Sequence, residues 1–408
     1  MKQLPQTGTS ALLEMLSPHL DDGFINDLFP RRPRQGRHAS FSPAQLLRVQ
    51  LLQLLTPAHS GNLLIQLLPE NRGWRDFARL PNKRSLPDAK MLHQFRERLD
   101  LIKLRQINRQ LLTTILADLD PTRKTVAIID ATDLPASTNC FKKSVAIRTA
   151  LGAAVGARTV KSGQSRWFVG YKKHTLRLWV GETIGPVLLA PLISWAAPGN
   201  RCDVLFLEPS LRYCHHQLGF APDLVVGDLA YLSVEVQRRL REQLHVGVVT
   251  PLKRDFELSK AAETGLTFRC RQGQKLEWLG LNEVEQLHWF GVRDPQPICN
   301  WCWEQGSCPR EFAFAPGDHE TVFGTVPVQS LVAQKLLGQV RKWIEASQAY
   351  EKNQLGLNSL FLNSLRLTWI FTLLADTVCL LRCKACLALP SNRPILFELF
   401  PAQMQLGL

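Results

Sequence analysis

The stretch TVAIIDAT, residues 125–132, marks the point where the sequence changes from helical to strand-like patterning. Its first five residues are apolar or β-branched, as in a strand that is buried on both faces of a sheet. The strand predicted here ends at Asp130, and a second carboxylate, Asp133, follows three residues later. Strand ends can aim polar groups at a substrate, so either aspartate is a candidate for chemistry. The alternative is a turn, because aspartate often ends a strand by bonding to nearby backbone.

Strand-like and helical segments alternate on the C-terminal side of this stretch. The order is three strands, helix, strand, helix, strand, so the first three can form a meander while the later ones need helical crossovers. We therefore predict an α+β core with a mixed sheet, in the strand order of the ribonuclease H-like fold. Residues 137–165 carry no pattern that assigns them. The further strands are predicted in 167–180, 185–197, 223–228 and 246–252, and the helices in 203–218 and 234–244.

The segments on either side of this core have different patterns. Before it, Ser42-Pro43 predicts a helix start, and residues 85–119 form one long amphipathic helical pattern. After it comes a segment with four tryptophans and clustered cysteines, and then helical patterning returns. The predicted organisation is a mainly helical region over 1–120, the first part of the core over 121–255, a β-rich insertion over 256–327 and a helical completion over 328–408.

The overall charge points to an anionic partner. The 408 residues carry a formal net charge of +14, which attracts phosphate regardless of base sequence and makes nucleic acid the leading candidate. A basic enzyme without such a partner is the alternative. The first thirty residues contain no apolar segment of a signal peptide, so we expect reduced thiols in a cytoplasmic protein. The apolar run 367–381 is short for a membrane span and predicts a buried helix.

A third group of charged residues accompanies the aspartates. Asp228, like Asp130, ends a predicted apolar strand. On a regular helix Arg341, Glu345 and Lys352 would lie within about 40° of one another, whereas Glu351 would point elsewhere. One helical face would then present two cations and a carboxylate. A solvated face with an Arg341–Glu345 pair is the alternative interpretation.

Three separate motifs resemble those of one enzyme family, the DDE-type insertion-sequence transposases with a Y-x2-R-x3-E-x6-K signature. Arg341, Glu345 and Lys352 match the last three elements of that signature, whereas Gly338 stands where the family has tyrosine. The segment 130–132 matches the family's Asp-x-Thr strand end, and 228–231 matches its D-x-(G/A)-Y turn. The segments GYKKH, PGNRCD and LPDAKMLHQFRERL also resemble parts of the family, so the similarity extends over most of residues 40–380.

The resemblance implies a catalytic centre in a ribonuclease H-like core and a DNA-binding N-terminal region. Asp130, Asp228 and Glu345 would be the catalytic carboxylates and would hold two Mg²⁺ or Mn²⁺ ions, which prefer oxygen ligands. The partner would be double-stranded DNA, bound at paired ends by a homodimer or larger assembly. Side chains expected to bind DNA phosphates are Arg341, Lys352, Lys172 and Tyr231.

The cysteines and tryptophans of the predicted insertion allow further interpretations. Cys299, Cys302 and Cys308 could bind a structural Zn²⁺, with Cys270, His288 or His319 as fourth ligand, but reduced buried cysteines are the better expectation. One tryptophan could stack on a flipped base, although packing within a small β module is favoured for each. The tryptophans are Trp278, Trp289, Trp301 and Trp303, and the arginines of a basic arm that could contact phosphates are Arg31, Arg32, Arg34 and Arg37.

The function predicted from the sequence is therefore DNA transposition by cleavage and strand transfer at the terminal inverted repeats of an insertion sequence, in a bacterial, nucleoid-associated protein. Two alternatives remain open. The first is a DNA-binding relative without catalysis, for which Gly338 is the only hint. The second is a nuclease that hydrolyses DNA without joining it.

Overall fold

The structure of the protein, a computed structural model, is a mixed α+β fold. Its residues group into two compact units. The first unit comprises residues 1–119, 131–202 and 345–395, and the second comprises 120–130, 203–344 and 396–408. The residues described are 9–29, 40–119, 124–137, 149–159, 164–180, 188–252, 270, 272–282, 284–285, 287–314, 324–328 and 330–388.

The N-terminal helices of the first unit begin at polar capping residues. The hydroxyl of Ser42 accepts from the amide of Gln45 at 3.2 Å, and the Gln45 side chain accepts from the Ser42 amide at 2.9 Å. This reciprocal cap, with Pro43 at the first helical position, confirms the predicted helix start. The helices are α1 (Ser10–Leu16), α2 (Asp22–Asp27), α3 (Pro43–Leu55), α4 (Gly61–Leu67), α5 (Arg72–Phe77), α6 (Ala89–Arg98) and α7 (Leu101–Ala117).

The long helical pattern over 85–119 forms two helices, so the prediction of one continuous pattern was wrong at its centre. Leu99 leaves the helical conformation, and the Asp100 side chain accepts from the Lys103 amide at 2.7 Å as the N-cap of α7. An aspartate satisfies the free amides of a first helical turn, and therefore it starts a new helix inside an otherwise periodic segment.

The first unit contains the longest strand of the sheet. Its strands are β2 (Ala154–Thr159), β3 (Ser165–Val180), β4 (Leu188–Pro198) and the end of β1 (Val126–Pro135), whose residues up to Asp130 are grouped with the second unit. β3 pairs antiparallel with β2 through its first six residues and with β4 through the rest. β2 falls in a segment that the sequence left unassigned. A Cβ atom at Gly170 would collide with the Leu134 carbonyl, so a glycine is required where β3 passes β1.

Two short parallel strands of the sheet belong to the second unit. β5 (Leu224–Val226) pairs with the first residues of β1, and β6 (Gly247–Val249) pairs with β5. The helices α8 (Leu207–Tyr213) and α9 (Val234–Leu244) precede these two strands, as predicted for crossovers. The strand order is β2-β3-β1-β5-β6, with β4 also paired to β3. Apolar side chains of β1 and β5 are buried, which confirms both as core strands.

A separate three-stranded antiparallel sheet lies within the predicted insertion. Its strands are β7 (Glu277–Asn282), β8 (Leu287–Gly291) and β9 (Glu311–Phe314), and α10 (Pro297–Glu304) lies between the last two. Trp278 is buried in this sheet and its indole N–H donates to His288 Nδ1 at 3.0 Å. This tryptophan therefore packs the module.

The described residues from 330 to 388 are mainly helical, in agreement with the helical patterning of this segment. A short helix α11 (Leu331–Lys335) continues into a π-helical turn, and α12 (Lys342–Ala349) continues into a second one over Tyr350–Gln354. The last described helix, α13 (Leu365–Leu387), contains the apolar run and is buried along most of its length. It packs on α7, where the Asn108 amide donates to the Leu373 carbonyl at 3.1 Å. Within the described part of the chain, no helix is long and apolar enough to cross a membrane.

Candidate active site

Asp130 and Asp228 occupy equivalent positions on two adjacent strands of the second unit. The register pairs Ile128 of β1 with Val226 of β5, and each aspartate comes two residues later. Because the strands run parallel and neighbouring strands lie about 4.8 Å apart, the carboxyl ends of both strands deliver an aspartate to the same edge of the sheet. Both aspartates are half-buried. Carboxylates at a partly desolvated edge have the chemistry to hold a cation, so a cation site here stays a prediction.

The Asp228 side chain is oriented by a local turn. Its Oδ1 accepts from the Ala230 amide at 2.9 Å and caps the 3-10 turn Leu229–Tyr231. Asp228 therefore does bond to nearby backbone, as the turn interpretation predicted. The bond also fixes the side chain at the strand end, so the two interpretations do not exclude each other.

Asp133 lies within β1, and the prediction that it is a loop residue was wrong. The strand continues to Pro135, and the Ala136 amide donates to the Val169 carbonyl of β3 at 2.9 Å. Pairing with β3 keeps the chain extended after pairing with β5 has ended. Side chains alternate along a strand, so Asp130 and Asp133, three residues apart, lie on opposite faces. Arg158 Nη1 lies 3.8 Å from Asp133 Oδ2 and forms a long ion pair with it.

Glu345 is exposed in the first turn of α12 and is grouped with the first unit. The helix around it is not uniform, contrary to the regular helix assumed for Arg341, Glu345 and Lys352. The amides of Arg341 and Leu355 donate to carbonyls five residues earlier, at 3.0 and 3.1 Å. Such π turns change the angular spacing of side chains, so sequence spacing alone does not fix how Lys352 is oriented relative to Glu345. Arg341 and Lys352 are half-buried.

Four charged side chains form a buried cluster in the first unit, hereafter the ion cluster: Lys173 and Arg177 of β3, Glu351 of the second π turn and Asp376 of α13. Lys173 Nζ donates to Glu351 Oε1 at 2.7 Å and to Asp376 Oδ1 at 2.9 Å. Arg177 Nη2 donates to the same Glu351 oxygen at 2.5 Å. Relative exposure of the four residues is at most 2%. The ion cluster therefore joins the turn that follows Glu345 to the sheet and to α13.

The ion cluster determines the ionisation of Glu351. Burial opposes the charged carboxylate, but the charges of Arg177 and Lys173 outweigh this effect and lower the pKa of Glu351 to about 2. Burial raises the pKa of Asp376, which accepts a hydrogen bond from Lys173. Sequence reasoning missed the ion cluster, although two signals were present. Lys173 and Arg177 share a face of a predicted strand, and Asp376 interrupts the most apolar run.

The remaining predicted phosphate-binding residues have different environments. The Tyr231 ring is fully buried, so it is not accessible to a DNA phosphate in this structure, contrary to the prediction. A Cβ atom at Gly227 would lie 3.2 Å from Tyr231 Cβ and from Ile129 Cγ2, so the glycine makes room for this packing. Lys172 is half-buried and its Nζ donates to the Arg201 carbonyl at 3.4 Å. A Cβ atom added at Gly338 would meet no described atom within 4 Å, so a side chain fits there.

Cys299 and Cys302 are buried on α10, and Cys308 is half-buried outside it. His288, one possible fourth ligand, has both ring nitrogens engaged, because Nε2 contacts the Gly324 carbonyl at 2.9 Å. Among the described residues no group of three or more His, Cys, Asp or Glu side chains is arranged to hold a metal ion. The zinc site and the third carboxylate ligand therefore stay predictions. His319 and the basic arm around Arg34 lie outside the described residues.

The aromatic side chains of the insertion differ in exposure. Trp301 is 55% exposed on α10, whereas Trp278 is buried. The guanidinium of Arg310 lies 5.2 Å from the Trp303 ring centroid, a cation–π contact that accounts for the position of Trp303. The structure thus separates packing tryptophans from an exposed one, and base stacking stays a prediction.

Two models of known protein families match this chain. One, described as a transposase domain (DUF772), matches residues 2–98. The other, described as a transposase DDE domain, matches residues 121–375, more than half of the chain, and this range contains Asp130, Asp228 and Glu345. No curated protein gives a significant match.

Proposed function

Because this chain belongs to the family of transposases with a DDE domain, enzymes that act on DNA, we propose that it cuts and joins DNA at the ends of an insertion sequence. The match confirms the resemblance to DDE-type insertion-sequence transposases that the sequence predicted. The proposal in full is a cut-and-paste transposase that binds terminal inverted repeats. The observation that carries it is the equivalent placement of Asp130 and Asp228 on parallel neighbouring strands.

The sheet supports a ribonuclease H-like core. With β2 set aside, the strand order is β4-β3-β1-β5-β6, which is the order expected from the alternating pattern of the sequence. Asp130 lies two residues beyond the part of the central strand β1 that pairs with β5, and Asp228 lies two residues beyond the end of β5. A rigid parallel pair of strands is a suitable support for two catalytic carboxylates, because the backbone cannot move one without the other.

The donor set is consistent with the divalent ions that DDE transposases generally use. Carboxylate oxygens are hard ligands of the kind that Mg²⁺ and Mn²⁺ prefer, and we assign Asp130 and Asp228 to this role with Glu345 as the third carboxylate. When bound, two such ions activate the attacking oxygen and stabilise the leaving oxygen of an in-line displacement. Arg341, Lys352 and Lys172 are proposed to hold DNA phosphates by their positive charge.

The decisive measurement is strand transfer with pre-cut element ends and Mg²⁺. Alanine at Asp130, Asp228 or Glu345 is expected to reduce cleavage and joining at least about 100-fold, because each change removes a ligand group that acts in the transition state. Binding of the ends, measured by fluorescence anisotropy, is expected to survive in each variant. Wild-type levels of joined product in any of the three would contradict the assignment of that residue.

Asp133→Ala is the matched control, because it removes a carboxylate from the same strand but from the opposite face. Its activity is expected to equal that of the wild-type protein. The products of the wild-type enzyme also separate the alternatives. Hydrolysis without joining would identify a nuclease, and end binding with neither reaction would identify a relative without catalysis.

A further inference from the structure

The ion cluster has a chemistry that exceeds what packing requires. Two cations and two carboxylates are withdrawn from water in the first unit, with Lys173 bridging Glu351 and Asp376. Taking charges out of water is costly, and a well-packed apolar set of similar volume is often as stable or more stable. Stability alone therefore gives no reason for placing these residues here.

Hydrogen bonding within the ion cluster is concentrated on one atom. Glu351 Oε1 accepts from Lys173 and Arg177 and lies 3.7 Å from Cys379 Sγ. Among the described residues, Arg177 Nε, Arg177 Nη1 and Glu351 Oε2 have no hydrogen-bond partner. A cluster arranged for maximal bonding would use these atoms. The observed arrangement instead holds one carboxylate oxygen at one point above β3.

That point lies on the helical segment that carries the proposed catalytic side chains. Glu351 is the neighbour of Lys352 and follows Glu345 by six residues, within the π turn Tyr350–Gln354. A π turn holds one residue more than the α-helical turn it replaces, so its loss would change the rotation of Lys352 about the helix axis relative to Glu345. Backbone bonds to this turn include those from the Leu355 amide to the Tyr350 carbonyl at 3.1 Å and from the Leu357 amide to the Glu351 carbonyl at 3.2 Å.

We propose that Glu351, held by Lys173 and Arg177, is a positioning residue that keeps the π turn in place and thereby aims Glu345 and Lys352 at the DNA. This inference rests on the proposed transposase function. Asp376 completes the arrangement by fixing Lys173 from α13. The cluster touches no reacting atom and acts only through the helix.

The principal test replaces the whole cluster. The variant Lys173→Met, Arg177→Met, Glu351→Leu and Asp376→Leu keeps the side-chain volume but removes all four charges, so it is expected to fold. At a saturating concentration of element-end DNA, the kcat of this variant for strand transfer is expected to fall at least about 100-fold, because a small misplacement of catalytic groups has that effect. KM for the ends is expected to stay within about twofold. A folded variant with wild-type kcat would overturn the proposal.

A second pair of variants covers the case in which the four-site variant does not fold. Glu351→Gln keeps the shape but weakens the hold on the π turn, and Glu351→Asp retains the charge on a shorter side chain. Both variants are expected to have a lower kcat than the wild-type protein, and the decrease is expected to be smaller for Glu351→Asp than for Glu351→Gln. Arg48→Met is the matched control, since it removes another buried cation of the first unit, one that pairs with Asp22 rather than with the π turn. Equal loss of kcat per folded molecule in Arg48→Met would contradict positioning.

Hydrogen exchange provides a readout that does not depend on activity. Amides in a peptide covering 345–358 are expected to exchange faster in Glu351→Gln than in the wild-type protein, and unchanged in Arg48→Met. Unaltered exchange in Glu351→Gln would overturn the proposal even if kcat falls. The transposase function itself is tested by the wild-type protein alone. If that function is wrong, the wild-type protein will join no DNA ends.

Discussion

Two buried arginines of the first unit differ in how many of their hydrogen-bond donors have a partner. Arg48 on α3 donates all five N–H groups, to Asp22, to the Ser17 hydroxyl and to the carbonyls of Ser17, Leu20 and Phe77, at 2.8–3.3 Å. Arg177 donates through Nη2 to Glu351, and its other two nitrogens have no hydrogen-bond partner among the described residues. Both guanidinium groups are fully buried.

The partners of the two arginines explain the difference. Arg48 binds backbone carbonyls at the end of the 3-10 turn Ser17–His19 and stacks 5.4 Å from the Phe77 ring, so it ties short helices together. Each N–H group of Arg48 thus has an acceptor within the protein in place of the water that it would bind when exposed. Arg177 contributes instead to holding a carboxylate next to the proposed catalytic helix. This difference indicates that a fully satisfied buried charge supports the fold, whereas a partly satisfied one calls for a functional test.

The largest effect is expected from removing the acidic centre of the ion cluster. Glu351→Ala leaves Lys173 and Arg177 buried with one remaining carboxylate, and the free energy of unfolding is expected to fall by about 3–5 kcal/mol. Urea denaturation followed by circular dichroism would measure it. A loss below about 1 kcal/mol would mean that water or a shifted side chain replaces Glu351, and the contrast with Arg48 would disappear.

A smaller loss is expected for Arg48→Met, about 2–3 kcal/mol, because neutral carbonyls rather than charges lose their partner. Asp22, the one ionic partner, keeps a side-chain exposure of 16% and can be hydrated in the variant. The same denaturation experiment applies. If Arg48→Met destabilises the protein more than Glu351→Ala, local satisfaction of hydrogen bonds would outweigh charge pairing in this unit.

The smallest effect is expected from pH. The pKa of Glu351 is lowered to about 2, so its contribution is present above the unfolded value near 4.5 and is lost as pH falls from there towards 2. Asp376, whose pKa is raised by burial, contributes in the opposite sense. Glu351→Gln should therefore flatten the decline of unfolding free energy in this acidic range, and Arg48→Met should leave it unchanged. Parallel declines in Glu351→Gln and the wild-type protein would contradict the assigned ionisation.

Local patterns predicted where two of the candidate carboxylates lie in the fold, whereas their catalytic role stays a prediction. Asp130 and Asp228 both follow apolar strands, and a strand of this kind is visible in a few residues. Ser42 followed by Pro43 predicted a helix start for the same reason, whereas the part that Gln45 takes in the cap was seen only in the structure. The error at Asp133 arose because pairing with β3, which extends the strand to Pro135, is formed with a distant segment.

The ion cluster shows why the rest depends on the tertiary structure. Lys173 and Glu351 are 178 residues apart, and Lys173 and Asp376 are 203 apart. No periodic pattern connects positions at such separations. The π turn that contains Glu351 cannot be predicted from the sequence either. The sequence separation of Glu345 and Lys352 is the same whether the helix between them is regular or contains a π turn.

The sequence by itself determined the family, the order of the strands and helices apart from β2, and the two aspartates that follow the paired residues of β1 and β5. These depend on side-chain periodicity and short motifs, which act over one turn or one strand. Only the tertiary structure decided which charges are buried. Lys172 and Lys173 are neighbours of the same type, yet one is half-buried and the other is enclosed with two carboxylates. Burial is a property of what packs above a strand, and packing follows from the whole chain.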